Sequence, residues 1–321
     1  MARERVVSTA DVFSRALDGY LVERRRLGYR MHDTELRRFA HYADECGHNG
    51  PLDAEIQIRW ARLHVVTTTV GTDTRQLQTL RPFVRYYRQL EPDSVIVDPA
   101  LLGPPRGRPT PHIYRPDEIE ALILAAARLN RSDPLRPATY STLFGLLAAT
   151  GLRRSEALNL LNDDVEPDGA RLTVRMTKFR KTCQLPLHPS TAAALLAYRR
   201  KRERYWTNTP ERPFFVGCAG GVLKSRTVNH VFEALRRSLG WRARGDHPAP
   251  PIHDLRHTFA VRRVQRWHGE GASIEQVMFW LCTYLGHAKI SDTYCYLTGV
   301  PKLMAVAGRA FENFAATEAR S

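Results

Sequence analysis

The sequence predicts a mainly α protein in two parts: a helical N-terminal domain, and a mixed α+β C-terminal domain with a small antiparallel sheet. Three observations predict it. Apolar residues recur at spacings of three and four through the first hundred residues. A stretch rich in proline and glycine then interrupts every regular pattern. Beyond it, helical periods surround a single pair of extended segments. At 321 residues the chain can hold two domains that each bury a core.

Phe13, Leu17, Tyr20, Leu21 and Leu27 mark the first helix, and Leu36, Phe39, Ala40 and Ala43 the second. Ile56 to Val65 supplies a third apolar stripe, and Leu77, Leu80, Val84 and Tyr87 a fourth. Loop signals at Gly47-His48-Asn49-Gly50-Pro51 and Val70-Gly71-Thr72-Asp73 separate them. Residues 1–98 therefore form the first expected domain. Residues 99–112 contain Gly103-Pro104-Pro105-Arg106-Gly107-Arg108-Pro109-Thr110-Pro111, which cannot hold a regular helix because proline removes donors and restricts its predecessor. They are read as a linker, and residues 113–321 as the second domain.

That domain opens on Pro116-Asp117-Glu118, a helix start with proline and acidic residues in the first turn, where the helix dipole favours them. A second helix spans about 138–149 and ends at Thr150-Gly151. Residues 170–176 alternate and 183–187 are again extended, so they form a hairpin whose turn carries Lys178, Arg180 and Lys181. Further helices are expected at about 190–206, 225–239, 254–268, 273–285 and 289–297, with an amphipathic tail helix from Pro301 to Ala316.

The formal net charge of +15 points to a polyanionic partner, nucleic acid first. Arginine carries nearly all of the positive charge: only six of the 48 basic residues are lysines, and none precedes Lys178. No run reaches the length of an apolar membrane span, and the N-terminus lacks an apolar signal core, so a soluble, cytoplasmic protein is expected. The five cysteines are scattered without a C-x-x-C pair, which argues against a disulfide framework and a cysteine zinc site. Arg75, Arg81 and Arg85 on the helical domain, Arg106 and Arg108 in the linker, and Arg180 and Lys181 in the hairpin turn are candidate phosphate contacts.

Three clusters carry chemistry. They are Gly151-Leu152-Arg153-Arg154-Ser155-Glu156, then His253-Asp254-Leu255-Arg256-His257, then Leu285-Gly286-His287, with tyrosines at 284, 294 and 296. Attack on a phosphodiester by a phenol builds a crowded, strongly anionic phosphorane, and only donors that bind it better than the ground state accelerate the step. Arginine suits that task because it is always charged and can grip two phosphate oxygens. A lysine can in addition give up a proton, helped by neighbouring arginines that lower its pKa. His253 and His257 stand four apart, as in a zinc-binding helix. However, Asp254 occupies the place of the glutamate base and Arg256 lies between them, so no metal is expected. Tyr294 and Tyr296 lie about 200° apart around a helix, so only one of them can face the site.

These three ordered motifs resemble the phage-integrase family of tyrosine site-specific recombinases. The resemblance covers about 112–316, and extends more loosely to the helical domain as a core-binding, DNA-binding domain. It implies the tyrosine recombinase fold, with two domains clamping double-stranded DNA, which they cut and rejoin without metal, ATP or other cofactor. It implies Arg153, Lys178, His253, Arg256 and His287 as catalytic residues, with Glu156 orienting Arg153. Tyr296, nine residues after His287, is the implied nucleophile, forming a 3′-phosphotyrosyl intermediate, and Lys178 rather than Lys181 the implied acid for the leaving oxygen. It further implies a homo-oligomer on DNA, a tetramer assembled through the C-terminal helix, the alternative being that this helix folds back onto its own chain. Type IB topoisomerase-like relaxation and non-catalytic DNA binding are the alternative functions.

Overall fold

The computed structural model describes residues 12–29, 33–63, 72–103, 109–129, 133–175, 182–206, 212–287, 289–294 and 296. Arg106, Arg108, Lys178, Arg180, Lys181 and the expected tail helix lie outside the described residues. The chain divides into two units, Met1–Arg108 and Pro109–Ser321. The second begins four residues before the position expected for its domain, because the backbone of Thr110 and His112 is bonded to side chains of that unit. Thr110 donates to Asp246 at 2.7 Å and His112 to Asp254 at 2.7 Å.

The first unit contains α1 (Val12–Arg26), α2 (Thr34–Glu45), α3 (Ala54–Leu63) and α4 (Thr72–Tyr87). Of the residues expected on its apolar stripes, Phe13, Leu17, Leu36, Phe39, Leu80 and Val84 are buried, whereas Leu27 is 65% exposed because α1 ends before it, at Arg26. The orphan amides that every helix N-terminus presents are met at α1 by a residue of α2. The Asp44 carboxylate accepts from the backbone of Phe13 and Ser14 at 3.0 and 3.1 Å, and from the Ser14 hydroxyl at 2.7 Å. Arg81 and Arg85 stand four apart on α4 and share a face of the helix, Arg85 exposed and Arg81 half-buried, and the exposed Arg88 follows just past its end.

The second unit is built on α5 (Pro116–Ala127), α6 (Arg136–Thr150), α7 (Arg154–Leu158), α8 (Pro189–Glu203), α9 (Ser225–Ser238), α10 (Asp254–Gly269), α11 (Ile274–Leu285) and α12 (Ser291–Tyr294). Its sheet pairs β1 (Arg171–Val174) antiparallel with β2 (Cys183–Pro186), Leu172 opposite Leu185. Alternation sends Leu172, Val174 and Leu185 into the core. The apolar helix α6 lies at the centre, packed against α5, α8 and α10. The fully buried Arg202 donates to the Asn162 side chain and to the Phe214 carbonyl, which offsets the cost that burial imposes on its charge. The helix expected over 289–297 is only four residues long. After it the Tyr296 amide bonds Thr293 O in a tight turn that carries the Tyr296 ring inward.

Candidate active site

Four short pieces of backbone bring the site together, and each ends or begins a helix. α6 terminates at Gly151 in the left-handed conformation (φ 63°). A side chain there would be strained, and its Cβ would fall 2.5 Å from the Phe259 ring. The turn aims the Gly151 carbonyl at α10 and sets Arg153 at the N-cap of α7. Glu156, one turn on, accepts from the Arg153 amide at 2.8 Å and from its guanidinium at 2.7 Å. One carboxylate thus caps the helix and fixes the direction of the arginine.

Arg256 is buried in the first turn of α10 and is almost wholly committed to the protein. Its Nη1 donates to Gly151 O at 2.7 Å, and its Nη2 to Leu285 O at 2.9 Å and to His287 Nε2 at 3.2 Å. Three of the five guanidinium N–H groups are thereby used to hold the ends of α6 and α11. Arg256 also hydrogen-bonds the Tyr296 hydroxyl. Burial pushes its pKa down, and the Tyr296 phenol acts in the opposite direction.

His287 follows Gly286, the left-handed C-cap of α11, and its amide returns to Cys282 O at 3.0 Å. Because guanidinium can only donate, His287 Nε2 must accept, and its Nδ1 therefore carries the proton toward Thr293 Oγ1 at 2.9 Å. Tyr296 stacks on His287 (centroids 5.9 Å, 18° between planes) and meets His257 edge-on at 5.1 Å. The three candidate tyrosines are now distinct. Tyr296 is buried on Arg256 and Tyr294 is 39% exposed. Tyr284 lies flat on Phe259, its phenol raised to about 12 by burial.

His253 caps α10 and opens onto a pocket of about 300 Å³, lined also by Arg153, Arg154, Arg256 and Ser155 over an apolar floor of Leu147, Leu152, Ile252 and Leu255. His253 keeps exposed surface, while the surrounding protein takes part of its solvation. Its pKa is pushed down by that loss of solvation first, then by Arg256, Arg153, Arg154 and His247, so it is neutral at pH 7. Arg154, at the pocket wall, also donates to the Asn229 side chain of α9. The outer face of α9 carries Arg226, His230 and Arg237, all exposed. That basic face was absent from the sequence expectations. Its signal was there: polar residues at 226, 230, 233 and 237 alternate with the apolar stripe Val228, Val231, Phe232 and Leu235. His253 and His257 meet edge to face at 5.2 Å. Among the described residues, no group of three or more His, Cys, Asp or Glu is arranged to hold a metal.

Asp254 is buried beside them, its carboxyl raised from 3.8 to about 6 by burial against the favourable His112 amide. A raised carboxyl stabilises the fold fully below its unfolded value, and that contribution is lost as pH climbs from about 4 through 6. Asp254→Asn keeps an acceptor for His112 without the charge. It is expected to match the wild type at pH 4 and to exceed it by up to about 3 kcal/mol at pH 8. Urea unfolding at both pH values measures this, and an Asn variant less stable at pH 8 would contradict it.

Residues 113–300 match the Phage integrase family, well over half of the chain. The chain belongs to the phage integrase family. Over 308 residues it is 36% identical to a Sinorhizobium fredii protein named as an integrase/recombinase, y4rB, covering 94% of this chain and 97% of the other. It is 31% identical over 228 residues to the tyrosine recombinase XerC of Nitrobacter winogradskyi, covering 70% and 66% of the two chains. In fold it is similar to the XerH site-specific recombinase solved on a palindromic difH substrate, with TM-score 0.68 at 16% identity, covering 97% of this chain and 92% of that one. This integrase is thus a tyrosine site-specific recombinase, an enzyme that breaks and rejoins DNA, and the topoisomerase and non-catalytic alternatives are not favoured. No helix among the described residues is long and apolar enough to cross a membrane.

The structure brings Arg153, Glu156, His253, Arg256, His287 and Tyr296 to one place. Arg75, Arg81 and Arg85 sit on α4 of the other unit, Arg75 and Arg85 exposed and Arg81 half-buried.

Proposed function

We propose that Tyr296 is the nucleophile of this recombinase and that Arg153, Arg256, His253, His287 and Lys178 form its catalytic set. The observation that carries this reading is the Tyr296 phenol resting on the Arg256 guanidinium, inside the cluster that also holds His287. A bond forms from Tyr296 Oη to the scissile phosphorus, and the bond to the 5′ oxygen breaks. Arg153 and Arg256 hold the non-bridging oxygens as charge builds on them. His253, neutral and proton-accepting at pH 7, serves the phenol side of the reaction. Lys178 protonates the departing 5′ oxygen. A 5′-hydroxyl of the partner strand then reverses each step, and the phosphotyrosyl bond conserves the energy for religation. The reaction therefore needs no ATP.

The test is to find which tyrosine carries the DNA. Duplexes enriched from a random pool by binding to the full chain are nicked at successive positions, so that the released strand escapes and the adduct accumulates. Digestion of the adduct should yield a nucleotide-bearing peptide labelled at Tyr296. A label at Tyr284 or Tyr294, or none at all, would overturn the assignment.

The unit Met1–Arg108 is proposed as the core-binding domain, with Arg75, Arg81 and Arg85 on phosphates, joined there by Arg106, Arg108, Arg180 and Lys181. Within the second unit, the exposed face of α9 that carries Arg226 and Arg237, tied to the pocket through Asn229 and Arg154, is proposed to add phosphate contacts of its own. If six to ten phosphates are neutralised, log affinity should fall against log salt with a slope of roughly −5 to −9. Fluorescence anisotropy on the enriched duplex between 50 and 300 mM salt, on the order of the physiological range, reads it directly, and a flat plot would refute it. Assembly on DNA is proposed to be a tetramer held through the amphipathic segment 301–316, and the site of action the cytoplasm, where the DNA is.

A further inference from the structure

We propose that the segment Thr110–Tyr114 is a positioning strap for α10: through Asp254 and Thr258 it fixes the helix turn that carries His253 and Arg256. This rests on the catalytic set proposed above.

The strap is a run of backbone bonded to one stripe of α10. The His112 amide donates to Asp254 Oδ2 at 2.7 Å, and the Tyr114 amide to Thr258 Oγ1 at 2.9 Å. Arg262 Nη2 returns a bond to Tyr114 O at 2.8 Å. Residues 254, 258 and 262 succeed each other every four positions, so they form one line along the helix. Arg256 lies about 200° around from Asp254 and faces the pocket. The first turn of α10 is therefore held on one side by the strap, while the other side presents the arginine to its partners at Gly151 and Leu285.

The strap is itself secured at both ends and from above. Thr110 exchanges two bonds with Asp246, N–H to Oδ2 at 2.7 Å and O to the Asp246 amide at 3.0 Å. His112, with no exposed surface, accepts the Arg244 amide on Nδ1 at 3.1 Å, while Arg244 grips both oxygens of Glu118 at 2.6 Å and the Ile113 carbonyl at 2.8 Å. The Tyr114 hydroxyl donates to Pro251 O at 2.9 Å, on the loop that leads into His253. Both the loop before the catalytic turn and the helix after it are thus tied to the same five residues. A strap of this kind acts on α10 through its hydrogen bonds, and small displacements of a catalytic group are costly in rate.

The discriminating pair is Thr258→Val, which keeps shape but loses the acceptor for the Tyr114 amide, and Thr258→Ser, which restores it. On the nicked enriched duplex, Thr258→Val is expected to form the Tyr296 adduct about tenfold or more slowly at saturating DNA, with half-saturation shifted by less than about threefold. Thr258→Ser should return to near the wild-type rate. Asp246→Ala, a change at the exposed end of the strap, should give a smaller loss in the same direction. In the absence of DNA, Thr258→Val should speed hydrogen exchange at the amides of residues 253–256 while melting remains cooperative. A Thr258→Val protein that cleaves normally, a Thr258→Ser protein as slow as Thr258→Val, or unchanged exchange at 253–256 would overturn the proposal. Failure of the wild type itself to label Tyr296 would instead count against the catalytic assignment, and the exchange measurement would still judge the strap.

Discussion

Tyr296→Phe is expected to abolish covalent protein–DNA adducts on a nicked duplex while leaving affinity for the intact duplex within about twofold of wild type. The phenylalanine ring keeps the stacking on His287 and the edge contact with His257, so the pocket retains its shape. Only the hydroxyl bound to Arg256 is lost. No neighbouring phenol can substitute for it. Tyr294 is 39% exposed, and Tyr284 is held flat against Phe259. Denaturing electrophoresis of end-labelled DNA after incubation measures the adduct, and anisotropy measures binding. A slow but definite adduct in the Phe variant would mean that a different side chain is the nucleophile.

Arg256→Lys is expected to lower the rate of adduct formation roughly 10²- to 10³-fold, although the formal charge is unchanged. The guanidinium reaches Gly151 O, Leu285 O, His287 Nε2 and the Tyr296 hydroxyl from one planar group. An ammonium has three donors at a single point and cannot serve carbonyls on two helix ends while also holding a phosphate oxygen. His287 would lose the donor that fixes its tautomer and would be free to rotate from Thr293. Single-turnover kinetics on the nicked duplex test this, with melting temperature recorded alongside because Arg256 also joins α6 to α11. A lysine variant within a few-fold of wild type would show that charge alone matters at this position.

Much of this was legible in the chain itself. The periods of Phe13 to Tyr87 define four helices because an amphipathic helix must repeat its apolar residues every three or four positions, and those same residues, Leu27 apart, are the buried ones. Gly151 and Gly286 mark helix ends for a reason that is local, the left-handed turn that a β-carbon opposes. Glu156, which the family resemblance set one turn from Arg153 to orient it, makes an ion pair with it. The tyrosine problem was half solved in advance: opposite faces of one turn left room for only one of Tyr294 and Tyr296, and the motif spacing favoured Tyr296.

What escaped the sequence is whatever depends on contacts between distant segments. Nothing near His112 foretells its bond to Asp254, 142 residues later, nor that Arg244 and Glu118 close over it. Asp254 reads in the chain as an ordinary acidic first-turn residue, and only burial reveals the shift of its carboxyl to about 6. The arginine-rich α9 was read as a helix, but its basic face gained meaning only when Asn229 was found on Arg154.

By itself, the sequence determined the helical class, the two-part organisation, the positive charge suited to DNA, and the ordered motifs of a tyrosine recombinase. Those are properties of local periodicity, composition and spacing, which a linear chain records directly. The tertiary structure alone decided which phenol meets Arg256, which nitrogen of His287 carries the proton, and that residues 110–114 are bound along α10 instead of belonging to a free linker. Hydrogen-bond partners and desolvation are set by what folding brings within about 3 Å, and that information is not written at any one position of the chain.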